Sequence, residues 1–150
     1  MKRLKEELAA PPDESDRSTH APIRLATAAV LLEIAHADGS FSPVEDGNVT
    51  TYLQRVFALD DASTRELIDE ATEIRNNTID HFALTNFIRK NASLDERIDI
   101  VRTMWRVVYS DGRLTDYEGY LVRKLADLLG LEHRVMIDAK VSVLRELEAS

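Results

Sequence analysis

Apolar residues recur at three- and four-residue intervals in nearly every segment after residue 21, and this periodicity limits the possible folds most strongly. The first such segment contains Ile23, Ala26, Val30, Leu31, Ile34 and Ala35. This spacing places the apolar side chains on one face of an amphipathic α-helix, whereas a half-buried strand would alternate with a period of two. No segment sustains that alternation. The sequence therefore predicts an all-α fold.

Capping and turn residues divide the chain into seven predicted helices. Pro22 suits the first position of the first helix, since proline lacks the N–H that this position leaves unpaired. Ser93 and Glu96 have the spacing of a capping box, which predicts a helix start. The predicted helices run from Pro22 to the Asp38-Gly39 turn, over 43–58, 62–76 and 79–90, from Ser93 to the Asp111-Gly112 turn, and over 116–129 and 132–147.

Composition sets the expected context of this domain. Residues 1–21 mix charged residues with Pro11-Pro12, and we expect a mobile N-terminal tail followed by one helical domain at 22–150. No stretch approaches the roughly 20 apolar residues of a membrane span, so we expect a cytoplasmic protein without membrane insertion. The chain has no cysteine, which excludes thiolate nucleophiles and Cys-type metal sites. The net charge of −8 disfavours nucleic acid as a partner.

An internal repeat is the most informative motif. The segment ADGSFSPVE at 37–45 aligns with SDGRLTDYE at 110–118, an offset of 73 residues. Each copy has Asp-Gly, an apolar residue, Ser or Thr, and a Glu seven positions after the Asp. The repeat predicts two three-helix halves related by a pseudo-twofold axis and joined by the short helix at 79–90.

Two interpretations of the repeat remain open. Ser42 with Glu45, and Thr115 with Glu118, have the spacing of capping boxes, which explains these residues without any ligand. Capping does not explain the acids before each glycine, because a carboxylate near a helix C-terminus is disfavoured by the helix dipole. Aspartate is also a common turn former, so a purely local hydrogen-bonding role stays open for these acids. In the second interpretation the repeat forms a site for a divalent cation, with Ca²⁺ or Mg²⁺ favoured by oxygen-only ligands. Its candidate ligands are Asp38, Glu45, Asp111, Glu118 and Glu33.

The two motifs resemble the TerB family of tellurite-resistance-associated helical domains. The resemblance rests on ADGSFSPVE at 37–45 and on YSDGRLTDYEGYLVRKLADLLGL at 109–131, and in looser form covers about 22–148. It implies a bundle of seven or eight helices, a non-catalytic role in bacterial stress or tellurite resistance, and an acidic cluster for divalent metal. It also implies protein partners in membrane-associated complexes. Gly47 and Gly119 depart from the more acid-rich members of the family.

Three hypotheses for function follow. The first is a TerB-like stress protein that binds a divalent metal at the acidic turns. The second is a protein-interaction adaptor whose acidic turns are only structural caps, with Tyr117 and Tyr120 as candidates for exposed contact. The third is an enzyme that uses paired carboxylates as acid and base, although the sequence contains no known nucleophile or phosphate-binding motif.

Overall fold

The computed structural model describes residues 16–37, 43–77, 81–110 and 114–149, and excludes the side chains of 16–21, 43–46, 77 and 81. Every regular element in these ranges is an α-helix, which confirms the all-α prediction. The seven helices are α1 (Asp16–Ala35), α2 (Pro43–Phe57), α3 (Asp61–Asn77), α4 (His81–Asn91), α5 (Leu94–Val108), α6 (Asp116–Leu128) and α7 (His133–Ala149). None of the helices in the described ranges has both the length and the hydrophobicity that a membrane crossing requires.

Helix α1 begins at Asp16, so the prediction that Pro22 opens it is wrong. Proline in a helix interior has no N–H to donate, here to the carbonyl of Ser18, and such a position is normally costly. The ring of Pro22 is buried, and its removal from water offsets part of that cost. The expected division between tail and domain at residue 22 therefore falls inside a helix.

Helix α1 is the centre of the bundle and is buried on nearly every side. All eight residues from Leu25 to Leu32 are buried, as are Ile34 and Ala35. The sequence predicts one apolar face for this segment, whereas the helix is buried on several faces. Four alanines among these positions, at 26, 28, 29 and 35, let neighbouring helices approach closely from different directions. Helices α2 to α6 all pack against α1.

The remaining helices complete two similar groups. Helix α3 packs on α1, and α7 packs on α5 in the second group. The core continues from α1 into α5, where Met104 and Trp105 are almost completely buried. Helix α4 lies between the groups in sequence and packs on α1 and α6. The seven helices fit two three-helix halves joined by α4, but the internal repeat itself stays a prediction.

The helix boundaries at the two turns have the same spacing as the sequence repeat. Before the turns, α1 ends at Ala35 and α5 at Val108; after them, α2 begins at Pro43 and α6 at Asp116. Each pair of positions is 73 residues apart, the offset of the sequence motif. Both turns therefore have the same length between their helices. A pseudo-twofold axis relating the halves stays a prediction.

The C-terminus of α6 is closed by Gly130 and by an arginine from another helix. Gly130 has φ +81°, and the Leu131 N–H donates to the Ala126 carbonyl at 3.1 Å. Arg97 of α5 donates from Nη1 to the Leu129 carbonyl at 2.9 Å. The left-handed residue and the guanidinium together satisfy carbonyls that a helix end otherwise leaves unpaired.

Candidate metal centre at the acidic turns

Of the two acidic turns, the second is described more completely. Helix α5 ends with Tyr109 as its C-cap, and the Tyr109 N–H donates to the Trp105 carbonyl at 3.0 Å. The Ser110 N–H then donates to the Val107 carbonyl at 3.2 Å. The predicted ligand Asp111 lies outside the described residues. The description resumes at Leu114, immediately before the cap of α6.

Thr115 and Glu118 form the capping box that their spacing predicts. The Glu118 N–H donates to Thr115 Oγ1 at 3.1 Å, and the Thr115 N–H donates to Glu118 Oε1 at 2.9 Å. Two backbone donors at the start of α6 are thereby satisfied by side chains of the same turn. This geometry confirms that Thr115 and Glu118 cap the N-terminus of α6, as the capping interpretation predicts.

The Glu118 side chain has a further property that capping does not require. The residue is only 3% exposed, although glutamate is rarely buried without partners. Its Oε1 accepts the capping hydrogen bond, whereas no residue in the described ranges donates to Oε2. Oε2 is not among the fully enclosed side-chain oxygens and nitrogens that lack a partner in the described ranges, so it remains open to solvent or to a cation. Glu118 can therefore cap α6 with one oxygen and offer the other to a metal ion.

A second capping box shows what the motif looks like without an acidic turn. At the start of α5, the Ser93 N–H donates to Glu96 Oε1 at 2.7 Å and the Glu96 N–H donates to Ser93 Oγ at 3.1 Å. Glu96 is exposed, so water can solvate its remaining oxygen. The capping geometry is the same at both helix starts, and the burial of the glutamate is what distinguishes Glu118.

The first turn is described only at its edges. The His36 N–H donates to the Leu32 carbonyl at 3.0 Å and the Ala37 N–H to the Ile34 carbonyl at 3.1 Å, so the backbone tightens as α1 ends. The predicted ligand Asp38 lies outside the described residues. Glu45 lies in the first turn of α2, but its side chain is not among those that the structure describes. The predicted equivalence of Glu45 and Glu118 stays a prediction.

Glu33, the fifth candidate ligand, forms an ion pair. Its Oε1 lies 3.3 Å from Nη2 of Arg75 on α3, and both side chains are about three-quarters buried or more. Position 106, which the repeat aligns with Glu33, is an arginine that pairs with Glu146 on α7. At the same offset Arg75 aligns with Glu148 and not with Glu146, so only one position of each ion pair corresponds. A metal ion at Glu33 would have to compete with Arg75, and its role as a ligand stays a prediction.

The ligand set as a whole cannot be assembled from the described residues alone. Within those ranges no group of three or more His, Asp or Glu side chains could hold a metal ion. Asp38, Asp111 and the side chain of Glu45 are outside that search. Of the predicted ligands, the structure therefore describes the side chains of Glu33 and Glu118, which play different roles.

Seven described helices and two helix–turn–helix units of equal spacing define an all-helical domain with duplicated turns. A comparison with family models supports the same class of protein. The model described as tellurite resistance protein TerB matches residues 24–141. The chain belongs to the TerB family. Neither the curated proteins nor the solved structures contain a match to it.

Proposed function

We propose that this chain is a non-catalytic member of the TerB family that binds a divalent cation, Ca²⁺ or Mg²⁺, at its two acidic turns. The single observation that supports the proposal is the buried carboxylate of Glu118, whose Oε2 accepts no hydrogen bond from the described residues. Asp111, seven positions earlier in the same turn, supplies a further oxygen ligand in this proposal. Carboxylate oxygens are the ligands that hard divalent cations prefer.

The first turn contributes Asp38 and Glu45 in the same way. An ion shared by the two turns would bridge α1–α2 to α5–α6 and stabilise the folded domain, because it binds the native state and not the unfolded chain. The family description names tellurite resistance, and in this proposal the domain acts in the cytoplasm as part of a bacterial stress response. In this role the domain works with protein partners in a membrane-associated complex and catalyses no reaction.

A thermal melt tests cation binding and separates it from capping. EDTA-treated protein is melted alone and with Ca²⁺, Mg²⁺, Mn²⁺ or Zn²⁺. An ion at 100 times its dissociation constant adds about 2.7 kcal/mol to the free energy of unfolding, which corresponds to roughly 5–10 °C at this chain length. No shift with any of these ions would contradict the proposal.

The informative variant is Glu118→Gln, because glutamine can keep the capping hydrogen bond while it removes the carboxylate. Glu96→Gln makes the same change in the capping box of α5 and is the matched control. We expect Glu118→Gln to lose the ion-dependent shift and Glu96→Gln to keep it. If both variants respond to ions as the wild type does, Glu118 is a cap and not a ligand.

A protein-interaction adaptor is the second candidate function. Tyr117 and Tyr120 on α6 are 55% and 52% exposed, and their ring centroids are 6.4 Å apart. Exposed tyrosines are common in protein interfaces, where a rigid aromatic body is buried and the hydroxyl is hydrogen-bonded. A Tyr117→Ser/Tyr120→Ser variant that loses a copurifying partner, while Glu118→Gln retains it, would favour the adaptor with purely structural turns.

A further inference from the structure

A polar pocket of about 310 Å³ lies between helices α2, α5 and α7. Its lining includes Tyr52 and Arg55 from α2, Asp99 and Arg106 from α5, and Glu146 from α7. Two arginines and two carboxylates give these five residues no net formal charge. None of them is a candidate ligand of the acidic turns, so the pocket is a separate feature of the domain.

Tyr52 provides a hydroxyl donor that opens onto this pocket from a largely buried side chain. The residue is 4% exposed, and its hydroxyl forms no hydrogen bond with any residue that the structure describes. Burial, followed by the charge of Asp99, raises the pKa of Tyr52 well above its ordinary value, so the phenol keeps its proton. The Tyr52 hydroxyl is not among the fully enclosed polar atoms that lack a partner in the described residues, so it opens onto the pocket. It can therefore donate a hydrogen bond to an acceptor that enters the pocket from solvent.

The two ion pairs of the pocket differ in strength. Arg106 donates to both oxygens of Glu146, at 2.7 and 3.1 Å, and its third nitrogen lies 3.3 Å from Thr103 Oγ1. Arg55 makes a single contact of 3.3 Å with Asp99, and its side chain is 58% exposed. A bidentate pair is stronger than a single long contact. A ligand that enters the pocket would therefore separate Arg55 from Asp99. The Arg106–Glu146 pair would stay intact and line the pocket.

Separation of Arg55 from Asp99 determines which charges a ligand needs. A simple anion would pair with Arg55 and leave the Asp99 carboxylate, which is 27% exposed, beside a second negative charge. A simple cation would leave Arg55 unpaired in the same way. A molecule with both charges replaces each partner of the broken pair, so neither side chain loses its counter-charge.

We propose that this pocket binds a small zwitterion of the free amino acid class between Arg55 and Asp99. Its carboxylate accepts hydrogen bonds from Arg55 and from the Tyr52 hydroxyl, and its ammonium group donates to Asp99. The ligand takes the place of solvent at the Tyr52 hydroxyl and keeps the net charge of the pocket at zero. Such binding is independent of any metal at the acidic turns.

NMR titration of the ¹⁵N-labelled full chain tests this proposal with L-alanine and L-glutamine as probes. Acetate and methylammonium are the controls, because each has only one of the two charges. We expect saturable shifts of the Tyr52, Arg55 and Asp99 amides with at least one amino acid, and at least about tenfold weaker binding of both controls. Acetate binding as tightly as the amino acids, or no saturable shift with any probe, overturns the proposal.

Two variants identify the binding groups. Tyr52→Phe removes only the hydroxyl and should weaken amino acid binding roughly three- to tenfold, the usual effect of one hydrogen bond. Tyr117→Phe makes the same change at an exposed tyrosine on α6 and should bind as the wild type does. Asp99→Asn should weaken amino acid binding without weakening acetate binding. Far-ultraviolet circular dichroism checks that each variant is folded, and unchanged amino acid affinity in Tyr52→Phe and Asp99→Asn contradicts the proposal.

Discussion

Replacement of Gly130 by alanine should destabilise the domain because the backbone there is left-handed. Gly130 has φ +81°, and an L-residue with a side chain pays about 1–2 kcal/mol in this region. The added Cβ would also lie 2.9 Å from Arg89 Cδ and 3.0 Å from Arg97 Nη1. The exposed Arg89 can rotate away, but displacement of Arg97 breaks its hydrogen bond to the Leu129 carbonyl.

The expected loss is the sum of these two effects. A lost hydrogen bond costs about 0.5–1.5 kcal/mol, so Gly130→Ala should lower the free energy of unfolding by about 1.5–3.5 kcal/mol. A loss near the middle of this range lowers the Tm by roughly 5–10 °C. Urea unfolding followed by circular dichroism and by the fluorescence of Trp105, the single tryptophan, measures both secondary structure and core.

Two other glycine and alanine exchanges should raise the free energy of unfolding instead of lowering it. Gly47 lies in α2 with nothing within 4 Å of its added Cβ, so Gly47→Ala should add about 0.8–1.0 kcal/mol through helix propensity. Ala58 has φ 52° just after α2, and Ala58→Gly should add up to about 1 kcal/mol as the strain is relieved. If Gly130→Ala is as stable as the wild type while Gly47→Ala behaves as expected, the account of the α6 terminus is refuted.

The caps and one surface ion pair give two further predictions. Ser93→Ala and Thr115→Ala should each lower the free energy of unfolding by about 0.5–2 kcal/mol, because each removes the acceptor for a helix-terminal N–H; equal urea midpoints for wild type and variants would contradict the capping role. Hydrogen bonds from Arg106 lower the pKa of Glu146, and the stability from such a shift is present above the unfolded-state pKa and lost as the pH falls through the folded-state pKa. Glu146→Gln should therefore cost no more than about 1 kcal/mol at neutral pH, since Glu146 is half exposed. Its difference from the wild type should vanish in acid, and a difference that persists at low pH would contradict the assignment.

The sequence was sufficient to predict the helices whose ends are defined by local chemistry. The capping boxes at Ser93 and Thr115 form as their spacing predicts, because the donors and acceptors all lie within one helical turn. Trp105 follows Val101 by four residues and Ile98 by seven, which is the spacing of one helix face, and all but 1% of its surface is buried. The predicted starts of α2 and α6, at Pro43 and Asp116, are confirmed.

Features that depend on distant parts of the chain could not be predicted in the same way. The all-round burial of α1 requires five other helices to pack against it, and its alanine-rich sequence shows only an amphipathic stripe. The extension of α1 through Pro22 contradicts the local preference of proline. Ala58 adopts a left-handed conformation that alanine alone disfavours. At Ala58 the left-handed residue accompanies a local hydrogen bond at the end of α2, in which the Leu59 N–H donates to the Gln54 carbonyl at 3.2 Å.

In the candidate sites too, the sequence predicts the local contacts and not those between distant residues. The capping geometry of Glu118 follows from its spacing to Thr115, whereas the burial of its carboxylate depends on the whole bundle. The pocket around Tyr52 combines residues from three helices: Arg55 and Asp99 are 44 positions apart, and Arg106 and Glu146 are 40 positions apart. The only local signal for it is a tyrosine and an arginine three residues apart on α2. The sequence does not show that the Tyr52 hydroxyl opens onto this pocket.

Calorimetric titration of the EDTA-treated full chain with Ca²⁺ and Mg²⁺ tests the proposed cation site most directly. The account predicts saturable binding of at least one of these ions to the wild type. It predicts no binding to an Asp38→Ala/Asp111→Ala variant whose circular dichroism shows the same helical content. Failure of both ions to bind the wild type, or unchanged binding in the double variant, would contradict the proposal that the duplicated acidic turns hold a metal ion.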